Sequence, residues 1–250
     1  MAVLEFPIPT HTQESREGDE RLNAGSPRSS ILLYSFLMPT KLPAIYPILD
    51  VSFLPNSGRR EYLHRLGSEL TEVGVTLLEY RNKSGALDEL LADAEILRAA
   101  MPAGKVKLIL DDRADLIEQI GFDGVHVDAG DMTPEQARQL LGPDRIIGTL
   151  GGSTEFLPGV LAMPVDYLSI GPVFPTRTKQ TSTPPIGIEG IRRMREIAGR
   201  GPTLVAIGGI TLATAREALD AGADIIAIAG AIFREDDPVA AFRSWKNLLG

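Results

Sequence analysis

The sequence predicts an α/β protein, a (β/α)8 TIM barrel behind a disordered N-terminal extension. From residue 43 onward, eight short runs rich in Ile, Val and Leu alternate strictly with segments of helical periodicity. These runs are almost continuously apolar, which is typical of parallel strands that are buried on both faces. Eight strands in alternation with eight helices are the pattern of a closed barrel. An open, doubly wound sheet is the alternative, because periodicity alone does not show closure.

The predicted strands are the apolar runs, and each of them ends in polar or glycine residues. They span residues 44–50, 75–81, 106–112, 123–127, 145–149, 166–171, 203–209 and 224–230. In a barrel of this kind the functional site lies at the carboxyl ends of the strands. Polar residues at those ends are therefore the first candidates for function.

The predicted helices follow the strands in order. They span residues 60–74, 86–101, 114–121, 133–142, 189–199, 211–222 and 237–250, with a weak helix near 153–161. Several of them have good ends, because Thr133-Pro134 is a typical helix start and Gly222 a typical helix end.

Composition and charge exclude several classes of partner. Of the 250 residues 44% are hydrophobic, but no run reaches the roughly 18 apolar residues of a membrane span. A formal net charge of −8 argues against binding to nucleic acid or to a membrane surface. The chain has no cysteine, which removes disulfides and thiolate metal sites and is compatible with the cytoplasm, where we expect the protein.

The N-terminal segment differs in composition from the rest of the chain. Residues 1–30 are polar, rich in Pro, Ser and charge, and without periodicity, and we expect a disordered tail over residues 1–40. Residues 41–250 form the predicted barrel domain, and Met38 is a candidate start of the folded unit. The sequence leaves the oligomeric state open, a homo-oligomer included.

Three charged residues share one face where the second predicted strand ends. Glu79, Arg81 and Lys83 alternate with other residues, and alternate residues of a strand point the same way. Two cations at the site end of a barrel suit a phosphate or a diphosphate. A solvated loop with an Arg–Glu pair is the alternative.

Carboxylates follow the third and the fourth predicted strands. Asp111 and Asp112 end the third strand, and Asp131 lies just beyond the fourth. Hard carboxylates beside a diphosphate site are ligands that suit a Mg2+ shared with phosphate oxygens. A helix N-cap is the alternative for Asp112 and for Asp131. His126 ends the fourth strand, either as a structural hydrogen-bonding group or as a ligand or base.

A second anion site is predicted where the last two strands end. The glycines of AIGGI and IAGAIF, Gly208, Gly209 and Gly230, would let a phosphate approach backbone N–H groups. Tight turns are the alternative explanation of these glycines. Between the two sites, residues 171–187 gather Thr, Arg and Lys, which indicates a flap that closes on an anion; a solvated loop is the alternative.

The chain resembles the thiamine-phosphate synthase family over residues 43–250. The resemblance is carried by the ordered set YPILD, EYRNK, DDRADL, DGVHVDAGD, GPVFPTRTK, VAIGGI and ADIIAIAGAI, each at its own strand end. It implies a transferase of thiamine biosynthesis that joins 4-amino-2-methyl-5-pyrimidinylmethyl diphosphate to a thiazole phosphate. It also implies Mg2+ as the cofactor, with thiamine phosphate and pyrophosphate as the products.

The resemblance implies a role for each candidate residue. Arg81 and Lys83 would hold the diphosphate, Lys179 would neutralise the departing pyrophosphate, and Asp112 and Asp131 would bind Mg2+. Asp111 would lie beside the diphosphate and His126 would border the pyrimidine pocket. The thiazole phosphate would contact Thr176, Thr178 and the backbone of Gly208, Gly209, Ala229 and Gly230.

The chain departs from the family pattern mainly at the pyrimidine end. Glu79 and Asp111 stand where the pattern has Gln and Asn, and Leu150 and Gly152 stand where it has Ser and His. We expect Glu79 to pair with the pyrimidine amino group in place of Gln. Because Leu150 lacks a hydroxyl and Asp111 adds a carboxylate, two alternatives stay open: a thiazole tautomerase-like relative, and a non-catalytic barrel that binds thiamine precursors.

Overall fold

The computed structural model shows a closed barrel of eight parallel strands, with helices around it. It describes residues 42–83, 86–128, 130, 132–152, 154–176, 178 and 183–250. The predicted tail, residues 1–40, lies outside the described residues. Each strand pairs with the next one along the chain, and the last pairs with the first. The barrel prediction is confirmed, and the open sheet is wrong.

The strands lie within the predicted apolar runs, apart from Leu150, which extends the fifth by one residue. They are β1 Ile45–Asp50, β2 Leu77–Arg81, β3 Lys107–Asp111, β4 Gly124–Val127, β5 Ile146–Leu150, β6 Tyr167–Ile170, β7 Thr203–Ile207 and β8 Ile225–Ile228. Most are shorter than predicted, because residues at one or both ends of the runs, many of them polar or glycine, belong to the loops.

The helices match the predicted order. They are α1 Arg59–Glu72, α2 Leu87–Ala100, α3 Ile117–Ile120, α4 Pro134–Leu141, α5 Leu157–Val160, α6 Gly187–Ala198, α7 Leu212–Asp220, α8 Gly230–Phe233 and α9 Pro238–Leu249. The short α8 was not predicted. The predicted start of α4 is confirmed: Thr133 Oγ1 accepts a hydrogen bond from Gln136 N, and Gln136 Oε1 accepts one from Thr133 N.

Side chains alternate between the barrel interior and the layer under the helices. In β2, Leu77 belongs to the interior cluster, whereas Leu78 and Tyr80 pack against the helices. The interior positions after Leu77 are Glu79 and Arg81, so β2 carries charged side chains toward the mouth of the barrel. Among the described residues, no helix is long and apolar enough to cross a membrane.

Candidate active site

A cavity of about 420 Å³ lies where the strands end, and it brings together residues from both predicted anion sites. Of the predicted site residues, Glu79, Arg81, Asp111 and His126 line it on the side of β2 to β4. Thr176, Thr178, Gly208, Gly209, Ala229 and Gly230 line it on the side of β6 to β8. Two predicted residues, Lys179 and Asp131, lie outside the residues that the structure describes.

The predicted diphosphate cations are paired with carboxylates. Arg81 forms an ion pair with Asp50, and its Nε lies 3.2 Å from Asp111 Oδ2. Lys83 forms an ion pair with Asp112, and its Nζ lies 3.2 Å from Asp111 Oδ2. These five side chains form a carboxylate cluster in which three carboxylates surround two cations. By itself the cluster therefore favours binding of a cation over binding of a diphosphate.

The surroundings shift the pKa values of two of these carboxyls in opposite directions. Burial opposes ionisation of Asp50, but hydrogen bonds from Ser52 and Arg81 outweigh it and lower the pKa of Asp50. Burial raises the pKa of Asp111, although His126 and Lys83 favour its charged form. Asp50 is therefore a stable anionic support for Arg81, whereas Asp111 is the carboxyl here that accepts a proton more readily.

Asp112 lies in a strained turn after β3. Its φ is 62°, and that of Arg113 is 49°, a left-handed conformation that non-glycine residues rarely adopt. The backbone N–H of Asp112 donates to the carbonyl of His126 at 2.7 Å, which ties this turn to β4. The helical turn that follows has Arg113 at its N-cap, so the alternative of an N-cap role for Asp112 is wrong.

A chain of hydrogen bonds crosses the barrel interior below the cavity. Tyr46 donates its hydroxyl proton to Glu79 Oε2 at 2.7 Å, and the hydroxyls of Tyr46 and Tyr167 lie 2.9 Å apart. Tyr167 OH lies 3.1 Å from His126 Nδ1, and His126 Nε2 lies 3.7 Å from Asp128 Oδ1. The chain therefore connects two predicted site residues, Glu79 and His126, through tyrosines from β1 and β6.

Burial shifts both ends of this chain. Desolvation raises the pKa of Glu79 to about 7, against the attraction of His126 and Arg81. Burial by itself lowers the pKa of His126, but the carboxyls of Asp128, Glu79 and Asp111 outweigh it and raise that pKa. The buried Glu79 carboxyl thus titrates close to neutrality, and the pKa of the buried His126 imidazole lies above its ordinary value; perturbed pKa values of this kind are typical of functional sites.

The other side of the cavity is built from backbone and hydroxyl groups. Gly208 and Gly209 have φ of 97° and 65°, and a Cβ at Gly209 would lie 2.5 Å from the carbonyl oxygen of Pro175. These positions therefore require glycine, because the loop after β6 packs directly on them. A Cβ at Gly230 would lie 3.1 Å from Thr178 Oγ1, so this hydroxyl lies at the start of α8.

Sequence reasoning missed several residues of the site. Tyr46 and Asp50 lie on β1 at the period-two positions that face inward, and Tyr167 and Ser169 do the same on β6. A count of alternating positions along each strand could have found them. Arg234, just after α8, lines the cavity without any sequence motif that marks it.

The candidate metal site is described only in part. Asp112 contributes a carboxylate with 13% of its side chain exposed, whereas the second predicted ligand is not among the described residues. Within the part of the chain that the structure describes, no group of three or more His, Cys, Asp or Glu could hold a metal ion. The carboxylate-rich composition of the cluster nevertheless suits Mg2+.

Comparisons with known proteins agree on one family. A family model described as thiamine monophosphate synthase matches residues 46–232. A thiamine-phosphate synthase of Koribacter versatilis is 42% identical over 75% of this chain and 88% of its own length. That of Albidiferax ferrireducens is 41% identical over 70% of this chain and 80% of its own length. The solved structure of a thiamine phosphate pyrophosphorylase from Pyrococcus furiosus is 30% identical, with a TM-score of 0.70, over 82% of this chain and 94% of that chain.

Proposed function

The chain belongs to the thiamine monophosphate synthase family, and we propose that its barrel mouth joins a pyrimidinylmethyl diphosphate to a thiazole phosphate. As a thiamine-phosphate synthase the protein is a transferase, which forms thiamine phosphate and releases pyrophosphate. The observation that carries this proposal is one cavity between two unlike walls. One wall holds Arg81 and carboxyl groups, with Lys83 Nζ 3.2 Å from the Asp111 carboxyl, and the other presents glycines, threonine hydroxyls and Arg234.

The cationic wall would act on the leaving group. In the reaction the C–O bond to the diphosphate breaks, its electron pair leaves with pyrophosphate, and the thiazole nitrogen captures the pyrimidinylmethyl carbon. Arg81 and Lys83 would hold the diphosphate, joined by Lys179 as it departs. Preorganised charges of this kind stabilise a developing anion without reorganising during the reaction.

The charge of the cluster supports a requirement for Mg2+. Arg81 and Lys83 are already engaged by Asp50, Asp111 and Asp112, and a diphosphate brings several further negative charges. Asp112 and Asp131 would hold the ion, which would neutralise diphosphate oxygens when bound. Asp111 would be tolerated beside the diphosphate because it lies between the two cations, 3.2 Å from Arg81 Nε and 3.2 Å from Lys83 Nζ.

The opposite wall would hold the thiazole phosphate. Thr176 and Thr178 supply hydroxyls, and the backbone N–H of Thr178 donates to Thr176 Oγ1 at 3.3 Å, which holds the Thr176 side chain against the backbone of Thr178. The backbone groups of Gly208, Gly209, Ala229 and Gly230 line the same wall. Arg234 adds a cation to it and would strengthen phosphate binding.

The pyrimidine would lie over the interior hydrogen-bond chain. Glu79 would accept from the amino group, and His126 would border the ring. Leu150 lines the cavity as an apolar group, and Ser169 is its register partner on β6 and lines the cavity too. The hydroxyl that Leu150 lacks is thus present on the neighbouring strand.

The relatives favour the synthase over the two alternatives. A protein named thiamine-phosphate synthase matches this chain at 42% identity, and Arg81, which lines the cavity, is linked through Asp111 to Lys83 and Asp112. A tautomerase-like relative would need no such cluster.

A cytoplasmic location and a homo-oligomeric state belong to the proposal as well. The absence of cysteine is compatible with the former, and gel filtration with light scattering tests the latter.

Turnover by purified protein tests the function. With both substrates and Mg2+ we expect equal amounts of thiamine phosphate and pyrophosphate. The variants Lys83→Ala and Asp112→Ala should lower kcat roughly 100-fold or more, as loss of a charge that stabilises a leaving group does elsewhere. Lys107→Ala is the matched control, because Lys107 pairs with Asp123 at the opposite end of β3. Absence of product from the wild-type protein would refute the proposal.

A further inference from the structure

Glu79 is an acid placed where a substrate can reach it. Its residue is only 3% exposed, yet it lines the cavity. Tyr46 hydrogen-bonds to Oε2, and among the described residues no other group hydrogen-bonds to this carboxyl. Oε1 therefore has hydrogen-bonding capacity for a ligand, and Oε2, which has a second lone pair, can accept one further bond.

The hydrogen-bond chain has a definite direction when Glu79 is ionised. Because Tyr46 donates to Glu79, its oxygen is left to accept from Tyr167, whose oxygen accepts from His126 Nδ1–H. Every donor in the chain then points toward Oε2. This hydrogen-bond chain thus fixes the position of the Glu79 carboxyl. Its hydrogen bond to the carboxyl goes to Oε2, so that Oε1 stays available to a ligand.

The charges around Glu79 come from several strands. The titratable and charged groups that act on it are Tyr46 from β1, Arg81 from β2, Asp111 from β3, His126 from β4 and Tyr167 from β6. His126, Arg81 and the hydrogen bond from Tyr46 favour the ionised form of Glu79, but burial, the largest influence, together with Asp111 outweighs them. The result is a pKa of about 7, so the carboxyl gains or loses its proton near neutral pH.

We propose that Glu79 recognises the aminopyrimidine through one shared proton, so that binding of the pyrimidine takes up a proton above neutral pH. This inference rests on the proposed function, which supplies the pyrimidine. The edge of a 4-aminopyrimidine presents a ring nitrogen as acceptor beside an amino group as donor. A protonated carboxyl presents one O–H donor and one oxygen acceptor, and therefore matches this edge with two parallel hydrogen bonds.

The proton count is the same wherever the proton lies within the pair. If the ring nitrogen carries it, the carboxylate accepts from both the ring N–H and the amino group, and the ion pair still contains one shared proton. An unprotonated pair would set the carboxylate against the ring nitrogen lone pair. Above the pKa of Glu79 the free site lacks the proton, and binding must therefore draw it from solvent.

The glutamine that the family pattern has at this position would behave differently. An amide presents an N–H donor beside a carbonyl acceptor and matches the neutral pyrimidine edge with no titratable proton. The affinity of the wild-type protein for the pyrimidine should fall by about tenfold per pH unit above neutrality, whereas the affinity of Glu79→Gln should not depend on pH. The substitution keeps the shape of the side chain and the bond from Tyr46.

Calorimetry with the pyrimidine alcohol, 4-amino-2-methyl-5-hydroxymethylpyrimidine, tests this proposal. The alcohol has no diphosphate, so neither phosphate ionisation nor Mg2+ contributes protons. Titrations at pH 8.5 in Tris and in HEPES, whose ionisation enthalpies differ, give the number of protons bound. We expect about one proton for wild type and none for Glu79→Gln. His126 is present in both proteins, and Glu69→Gln, an exposed acid on α1, should match wild type.

The outcomes separate this inference from the proposed function. Equal proton uptake by wild type and Glu79→Gln, zero included, would overturn the inference even if the same preparation makes thiamine phosphate. Absence of pyrimidine binding by wild type in the calorimeter, together with absence of product in the turnover assay, would overturn both. If Glu79→Gln does not fold, the wild-type titration is sufficient. Pyrimidine binding to wild type at pH 8.5 without proton uptake would contradict recognition through a shared proton.

Discussion

Replacing Glu79 by Gln should stabilise the folded protein at alkaline pH. The ordinary pKa of a glutamate is 4.5, and burial raises that of Glu79 to about 7. Below pH 4.5 both the folded and the unfolded states carry the proton, so burial of the carboxyl has no ionisation cost. As the pH rises toward 7 the unfolded state releases the proton first, and the folded state loses stability relative to it.

The magnitude follows from the difference between the two pKa values. Above pH 7 the folded protein bears the whole cost of the buried charge, about 3 kcal/mol at roughly 1.4 kcal/mol per pKa unit. Glu79→Gln removes this cost and keeps an acceptor for Tyr46. The free energy of unfolding of the variant should therefore exceed that of wild type by about 3 kcal/mol at pH 8.5, and the gain should vanish by pH 4.5.

Urea unfolding followed by circular dichroism at pH 5, 6.5 and 8.5 measures this difference. Glu69→Gln is the control for loss of one negative charge, because Glu69 is exposed and its substitution should change stability by less than about 0.5 kcal/mol at each pH. A stability difference between Glu79→Gln and wild type that is the same at pH 5 and pH 8.5 would show that ionisation of Glu79 does not destabilise the folded state. So would a variant that is less stable at pH 8.5.

Three further predictions follow from the cavity. Gly148→Ala would place its methyl carbon 2.0 Å from Tyr167 Cζ, so we expect a loss of about 2 kcal/mol or more in urea unfolding, with weaker pyrimidine binding. Ser169→Ala should weaken pyrimidine binding in calorimetry by roughly fivefold, or about 1 kcal/mol, and Leu150→Ser in that background should restore it, because the two residues are register partners. Chelation of Mg2+ with EDTA should abolish turnover but leave binding of the pyrimidine alcohol unchanged.

Each of these has an outcome that contradicts it. Unchanged stability of Gly148→Ala would mean that the Tyr167 ring can leave its position at little cost. Failure of Leu150→Ser to restore binding would show that the two strands do not present equivalent hydroxyls. Turnover that persists after chelation would contradict the proposed role of Asp112 as a Mg2+ ligand.

Much of the fold and part of the site could be predicted from the alternation of residues along single strands. Near-continuous apolar runs predicted the eight strands, and the shared face of Glu79 and Arg81 predicted two neighbouring side chains of the cavity. Such patterns are local, because the side-chain direction in a strand depends only on position along it. The cations were expected to be available for a diphosphate, but carboxylates from β1 and from the end of β3 already neutralise them.

The pattern of residues along the chain was enough to predict the eight strands, the polar residues at their carboxyl ends and the resemblance to one family. It could not predict that Tyr46 and Tyr167, 121 residues apart, join Glu79 to His126. These residues meet because closure of the barrel places the interior side chains of different strands within hydrogen-bonding distance. Burial there shifts the pKa of each acid, and no single strand carries that information.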